Sequence, residues 1–210
     1  MTKKIIGILL HTLITFSIFA GENNSGTNSM TKQAAYKPRI LVAYFSRADE
    51  NYGVGVVKKG NTEIIAEMIA EETRADIFKI ERAAPYPTDY KKCTEEARLE
   101  QSKNARPELK NTLDKLDDYD VIFLGMPVWW SDMPMPVYTF VEELDWNGKK
   151  VFPFTTHAGS GLSSIPRTLK NICNGATIAD GFTISGADAQ NNQSKARKAV
   201  LEWIKQRKDW

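Results

Sequence analysis

Six apolar residues in an unbroken row, ILVAYF from Ile40 to Phe45, constrain this chain more than any other stretch. A strand with one face in water alternates apolar and polar residues. A continuous apolar run of this length fits a strand covered on both faces, as in a parallel sheet between two layers of helices. The next residues agree. A polar, glycine-bearing loop leads into a helical pattern in which Ile64, Ile65, Met68 and Ile69 share one face. A strand that feeds a helix through such a loop aims free backbone N–H groups and the positive end of the helix dipole at one spot. That spot suits a phosphate.

The loop itself narrows which phosphate compound. Residues 55–62 read GVVKKGNT, close to the loop that binds nucleoside triphosphates, but Asn61 stands where the lysine that reaches the outer phosphates belongs. The dinucleotide fingerprint fails as well, because Gly53-x-Gly55 has no third glycine at the required spacing. What remains is Ser46, Asn61, Thr62 and backbone amides, neutral donors that can hold one terminal monophosphate. The same residues can also be read as an Asn/Thr helix cap behind a flexible loop.

The strand–helix alternation continues along the chain. ADIFKI (75–80) reads as a second strand. Residues 89–104 favour a helix, with Tyr90, Cys93, Thr94 and Ala97 as a weak buried stripe, and Leu109, Leu113 and Leu116 suggest a further helical turn. VIFLGM (121–126) is a third strand, followed by a helix that Pro134 and Pro136 open, with Val137, Phe140, Val141 and Leu144 on its apolar face. KVFPFT (150–155) is a fourth strand. Leu162, Ile165, Leu169 and Ile172 line a helix that stops at Asn174-Gly175. A fifth strand within 176–185 is broken near Gly181, and a last helix from Asn192 buries Ala196, Val200, Trp203 and Ile204.

Five strands alternating with five helices predict an α/β three-layer sandwich around a five-stranded parallel sheet. The whole is one domain from residue 38 onward. Right-handed crossovers leave few arrangements. In the order 2-1-3-4-5, the second and fourth helices share a face with the third between them. That separates Cys93 from Cys173 and predicts two isolated, partly buried thiols rather than a disulfide.

The first twenty residues differ from the rest. Lys3 and Lys4 precede an apolar-rich run from Ile5 to Phe19, and Ala20 precedes polar GENNSGTNS. This is the layout of a secretory signal peptide cleaved after Ala20, which predicts an exported (periplasmic or extracellular) protein with no stable membrane span after cleavage. The alternative is an uncleaved signal that anchors the chain in a membrane. Residues 21–37 read as a disordered polar linker. Removing residues 1–20 takes two of the 28 basic residues and leaves the others balanced against 26 acidic ones. A formally neutral chain gives no case for nucleic-acid binding. With His157 the only histidine left, no metal site can be assembled.

Ligands of such sheets bind outside the carboxyl ends of the strands, where the strand order reverses. Three loops meet there: the one after Phe45, GMPVWWSDMP (125–134) and TTHAGSGLSS (155–164). Trp129 and Trp130, in extended backbone, would point to opposite sides, one into the core and one into the crevice as a stacking surface. The other reading is two core tryptophans. Gly159 and Gly161 permit close backbone approach, and Thr155, Thr156 and Ser160 can bond the edge of a heterocycle. His157 is either a ligand contact, able to donate a proton to a reduced ligand, or a solvent-exposed loop residue.

A monophosphate site, a stacking wall and a polar edge loop around one crevice describe a site for flavin mononucleotide (FMN). Here the chain resembles flavodoxin-like proteins, and bacterial members with FSR…GNTE, PxWW and THAGSG in particular. The resemblance runs from Arg39 to the C-terminus and includes PYPTDY (85–90) and ARPEL (105–109). It implies the strand order above, with FMN where that order reverses. It also implies that Ser46, Arg47, Gly60, Asn61 and Thr62 hold the FMN phosphate. Pro127, Val128, Trp129 and Trp130 would border the isoalloxazine ring system, and Thr156, His157, Ala158, Gly159, Ser160 and Gly161 its pyrimidine side. The chain departs from the family in one place, where residues 48–59 are inserted into the phosphate loop as a lid or a partner-docking surface. The function implied is electron transfer through bound FMN, toward a redox partner protein or a quinone-like small molecule. The alternative is an FMN-dependent NAD(P)H:quinone-type reductase.

Overall fold

The computed structural model describes residues 37–207. The expected signal segment and all but the last residue of the expected polar linker lie outside that range. In chain order the elements are β1 (Ile40–Phe45), β2 (Asp49–Asn51), β3 (Gly55–Val57), α1 (Asn61–Thr73), β4 (Asp76–Ile80), α2 (Tyr90–Ser102), β5 (Val121–Pro127), α3 (Met135–Glu142), β6 (Lys150–His157), α4 (Ile165–Ile172), β7 (Thr177–Ile178), β8 (Phe182–Ser185), α5 (Gly186–Asn191) and α6 (Gln193–Lys205).

The central sheet is parallel, in the order β4-β1-β5-β6-β7, with β8 also on β6. Ile40 pairs with Val121 on one side of β1, and Leu41 with Asp76 on the other. The start of β6 (Lys150, Val151) pairs with β7 and its end (Phe154 to His157) with β8. The fifth strand of the expected sheet is therefore present in two pieces along one edge. The break falls at residues 179–181, and a side chain at Gly181 would meet the Pro153 carbonyl 2.6 Å away.

Successive residues of the central strands face opposite layers, as the pleat requires. Leu41, Ala43, Phe45, Ile122, Leu124 and Met126 pack in one core with residues of α2, α3 and α4. Val42, Tyr44, Val121, Phe123, Phe152 and Phe154 pack in the other with residues of α1, α5 and α6. Both layers are apolar, so β1 has no position for a polar side chain, which is why ILVAYF runs unbroken. Cys93 and Cys173 both belong to the first core and are free. Burial pushes the Cys93 thiol up to about 11 and the Cys173 thiol up to about 12, so neither is a reactive thiolate at neutral pH.

Three local expectations need correction. Leu109, Leu113 and Leu116 do not form a helical turn: Leu109 makes an isolated antiparallel bridge to Arg82, and the leucines plug the core from irregular backbone. β6 continues two residues beyond Thr155 because β5 and β8 flank it there, so Thr156 and His157 belong to the strand and not to a loop. A sixth helix, α5, precedes the last one; Ser185 caps it by accepting from the Asp188 N–H at 3.0 Å. The insertion, expected as a lid or a partner-docking surface, forms a two-stranded antiparallel hairpin, β2–β3.

Candidate functional site

The carboxyl ends of β1, β5, β6 and β8 open onto a cleft of about 700 Å³. Such a volume lies within the range of about 300–1,000 Å³ usual for small-molecule sites. One end of the cleft is built by the start of α1. Gly60 is the residue before the first helical turn, with no side chain to cap it. Ser46 acts in its place, accepting from the Glu63 N–H at 3.0 Å. The next donors back, the N–H groups of Asn61 and Thr62, find no partner among the described residues, as expected for the first positions of a helix. Gly60 lets the chain close up here. A Cβ on it would lie 2.2 Å from Ser46 Oγ and 2.4 Å from the Arg47 carbonyl oxygen. Gly186 does the same on the other side, where a Cβ would meet Asn61 Nδ2 at 2.3 Å.

Arg47 borders the cleft, but its guanidinium is occupied elsewhere. It donates to the carbonyls of Glu50 (2.5 Å), Pro87 (2.6 Å) and Thr88 (2.6 Å), which leaves Nε as a buried donor without a partner among the described residues. Lys59 is paired with Glu67 at 2.6 Å on the outer face of α1. Thr62 is fully buried and its hydroxyl is shared with that of Thr156 at 2.8 Å, which joins the start of α1 to the end of β6. The neutral donors still open to an anion are thus the Asn61 and Thr62 amides, the Asn61 side-chain N–H₂ and the Ser46 hydroxyl.

The other end of the cleft is the segment after β5. Trp129 N–H donates to the Asp132 carbonyl at 2.8 Å and Asp132 N–H to the Trp129 carbonyl at 3.0 Å. Between them Trp130 (φ 49°) and Ser131 (φ 64°) are both left-handed. That is a two-residue hairpin turn of the primed type, whose central positions usually carry Asn-Gly. Extended backbone at the tryptophan pair, the expectation from sequence, is therefore replaced by a tight turn. Asp132 secures the turn by accepting from the Tyr138 hydroxyl at 2.7 Å, and Ser163 and Ser164 donate to the Ser131 carbonyl at 2.7 and 3.0 Å. Trp129 is half-buried and meets Phe45 and Tyr86 edge-to-face, at centroid distances of 5.4 and 5.1 Å. Trp130 stays exposed. Its indole N–H donates to the Thr94 carbonyl at 3.0 Å, and the Arg98 guanidinium lies 4.9 Å over its ring.

Nine of the fifteen residues expected from sequence line this cleft: Arg47, Asn61, Pro127, Val128, Trp129, Trp130, Thr156, His157 and Ala158. Ser46, Gly60 and Thr62 support its phosphate-type end from behind. Gly159, Ser160 and Gly161 lie beyond its lining, in the turn after β6; Gly161 O accepts from Thr155 Oγ1 at 3.0 Å. His157 is neutral and oriented, because its Nδ1 accepts the Gly159 N–H at 2.8 Å. Burial lowers its pKa from the ordinary histidine value of 6.5. Sequence reasoning missed three parts of the wall: Asn51, Tyr52 and Gly53 from the hairpin; Tyr90, Cys93, Thr94 and Ala97 from α2; and Ser185, Gly186 and Ala187 after β8. The i, i+3, i+4, i+7 spacing of 90, 93, 94 and 97 was the signal for the second, since a helix face at the carboxyl edge of a sheet serves as a cleft wall as well as a core face.

The lowered pKa of His157 sets a pH dependence. A histidine whose folded pKa lies below its unfolded value contributes stability in full above the unfolded pKa, and that contribution is lost as the pH falls through the folded one. Thermal unfolding followed from about pH 8 down to about pH 5 should show a steeper loss of stability for wild type than for His157→Gln. Equal slopes would show that protonation of His157 does not disturb the turn.

Among known proteins, the sequence model of the family described as Flavodoxin matches residues 39–206. A solved flavoprotein from Bacteroides uniformis is 30% identical, with a TM-score of 0.64, over 81% of this chain and 99% of its own. A flavoprotein from Lactobacillus acidophilus, solved in complex with FMN, matches at 19% identity and a TM-score of 0.54, over 75% of this chain and 99% of its own, a likeness of fold. An uncharacterised protein of Methanocaldococcus jannaschii is 25% identical over 105 residues, 50% of this chain; the match spans about half the length of that curated relative (51%).

Proposed function

This chain belongs to the flavodoxin family, and we propose that it holds FMN in the cleft and transfers electrons through it. One observation carries the reading: a single cleft joins a helix start with unbonded amides to an aromatic wall and the polar end of β6. The residues present fit the cofactor. A terminal phosphate finds the Asn61 and Thr62 amides with the helix dipole behind them. The close approaches at Gly60 and Gly186 set the shape of the cradle, because a Cβ at either position would push Ser46, Arg47 or Asn61 out of place. Trp129, held edge-on by Phe45 and Tyr86, offers a flat face to a planar ring. Thr156, His157 and Ala158 supply the polar edge.

FMN brings the redox chemistry when bound. The chain's own residues bind it, orient it and exclude water from part of its surface. Val128 N–H is already bonded to the Thr156 carbonyl at 3.0 Å, which fixes the two edge segments to each other. His157, neutral with its Nδ1 bonded to the Gly159 N–H, keeps its remaining proton on Nε2.

Within this proposal Arg47 is a wall residue and not a phosphate ligand. Its donors are used on carbonyls of the hairpin and of residues 87–88, so it organises the wall. A second reading, an FMN-dependent reductase acting on quinone-like molecules with NAD(P)H, is favoured by the exposed aromatic side chains at the cleft mouth. The test is direct: a chain starting at residue 21, titrated with FMN, should turn yellow and quench FMN fluorescence at one equivalent. A colourless protein that leaves FMN fluorescence unchanged sinks the assignment.

A further inference from the structure

Tyr52, Tyr90 and Trp130 are the aromatic side chains left exposed among the described residues, at 67%, 37% and 46%. All three border the same cleft. They come from three separate segments: the inserted hairpin, the first residue of α2 and the turn after β5. Large apolar groups held together at the mouth of a cleft mark a binding surface.

The segments that carry them are tied to one another. The Arg47 guanidinium ties the hairpin to residues 87–88, Glu50 N–H donates to the Thr88 carbonyl at 3.3 Å, and Tyr90 N–H donates to Glu50 Oε2 at 2.8 Å. The Tyr52 and Tyr90 rings then lie 6.1 Å apart. Trp130 is kept in a left-handed conformation and bonded to Thr94, one helical turn (about 5.4 Å) along α2 from Tyr90. Trp129 is the inner wall, packed on Phe45 and Tyr86; these three rings form a separate outer set.

Resting on the reading of the cleft as an FMN site, we propose that Tyr52, Tyr90 and Trp130 form a subsite for a second, planar aromatic molecule bound beside the flavin. Exposed aromatic faces around one cleft mouth favour a flat ligand. The Arg98 guanidinium, 4.9 Å over the Trp130 ring and outside the cleft lining, leaves a positive charge beside the rim that suits an acidic substituent. A naphthoquinone sulfonate has this chemistry.

The test measures equilibrium binding, not turnover. Wild-type protein is first titrated with FMN and then, loaded and oxidised, with a naphthoquinone sulfonate by calorimetry. Saturable binding to the loaded protein is expected. Tyr52→Ala and Tyr90→Ala should each weaken it about tenfold, by loss of ring contact, with a smaller change in FMN affinity. Val56→Ala, on the same hairpin but outside the cleft lining, serves as the control and should bind both as wild type does. Failure of the loaded protein to bind the probe overturns the subsite, as does displacement of FMN by the probe. An equal loss of FMN and probe affinity in Tyr52→Ala overturns it too, because the rim would then be part of the flavin wall. If the apo-protein ignores FMN in the first titration, the FMN reading and the subsite fall together, and that result is distinct from the others.

Discussion

Gly60→Ala is expected to weaken FMN binding by about 100-fold, or about 2.7 kcal/mol. The backbone conformation is not the reason. Gly60 has φ −69° and ψ 155°, which any residue adopts. The reason is space. A methyl group would sit 2.4 Å from the Arg47 carbonyl oxygen, and backbone cannot swing aside as a side-chain end can. That carbonyl also accepts from Asn51 Nδ2 at 3.3 Å, so displacing it disturbs the hairpin. The Ser46 hydroxyl, 2.2 Å from the new methyl, must leave the Glu63 N–H that it caps. The amides meant for a phosphate would lose their alignment, and overpacking of this kind costs about 1–3 kcal/mol of stability as well. FMN titration of Gly60→Ala beside Gly55→Ala checks the cause. Gly55 has a positive φ of 71° but open space around it, so its substitution strains the hairpin without moving the start of α1. Equal losses in the two variants would show that general loop strain, and not the pinch at Gly60, governs affinity.

The two tryptophans should behave in opposite ways. Trp129→Ala removes a half-buried indole from contact with Phe45 and Tyr86 and from the cleft wall together. A loss of about 2–4 kcal/mol in stability is expected, below the figure for a fully buried tryptophan, and a weakening of FMN binding of at least about tenfold. Trp130→Gly removes an exposed indole from a position with φ 49°. The left-handed conformation costs an L-residue roughly 1–2 kcal/mol, which glycine avoids. Against this stand one hydrogen bond to Thr94 and one cation–π contact with Arg98, each worth about 1 kcal/mol. The net change should lie within about 1 kcal/mol of zero. Urea denaturation of the two apo-variants separates them. A large loss in Trp130→Gly would mean that the indole anchors the turn, contrary to the reading of the turn as secured by Asp132, Ser163 and Ser164.

The elements that sequence revealed are those whose pattern comes from burial on the sheet. ILVAYF, VIFLGM and KVFPFT are apolar because both faces are covered, and that holds wherever the loops go. The stop at Asn174-Gly175 and the break near Gly181 followed from glycine's local chemistry. The missed features have long-range causes. The hairpin of residues 49–57 has three-residue strands, and its anchors are Arg47 reaching Pro87 and Thr88 some forty residues away. The turn at Trp130-Ser131 carries neither Asn nor Gly in its left-handed positions, so turn chemistry gave no warning; serines from the β6–α4 connection hold it. Arg47 as a phosphate ligand came from the resemblance alone, and the carbonyls that occupy it are visible only in three dimensions. The stripe of Tyr90, Cys93, Thr94 and Ala97 was visible, but helical periodicity cannot distinguish a core face from a cleft wall.

The pinch at Gly60 also bears on how such a chain can diversify. Where residues 46–47 and 60 touch, the two ends of the intervening loop are fixed beside each other by the sheet and α1, whatever lies between. Lengthening a loop with fixed ends is cheap, about 0.6 kcal/mol for each doubling. Residues 48–59 are therefore a replaceable module. Descendants of this gene can lengthen, shorten or rewrite the outer wall of the cleft while the phosphate cradle and the sheet beneath it keep their sequence.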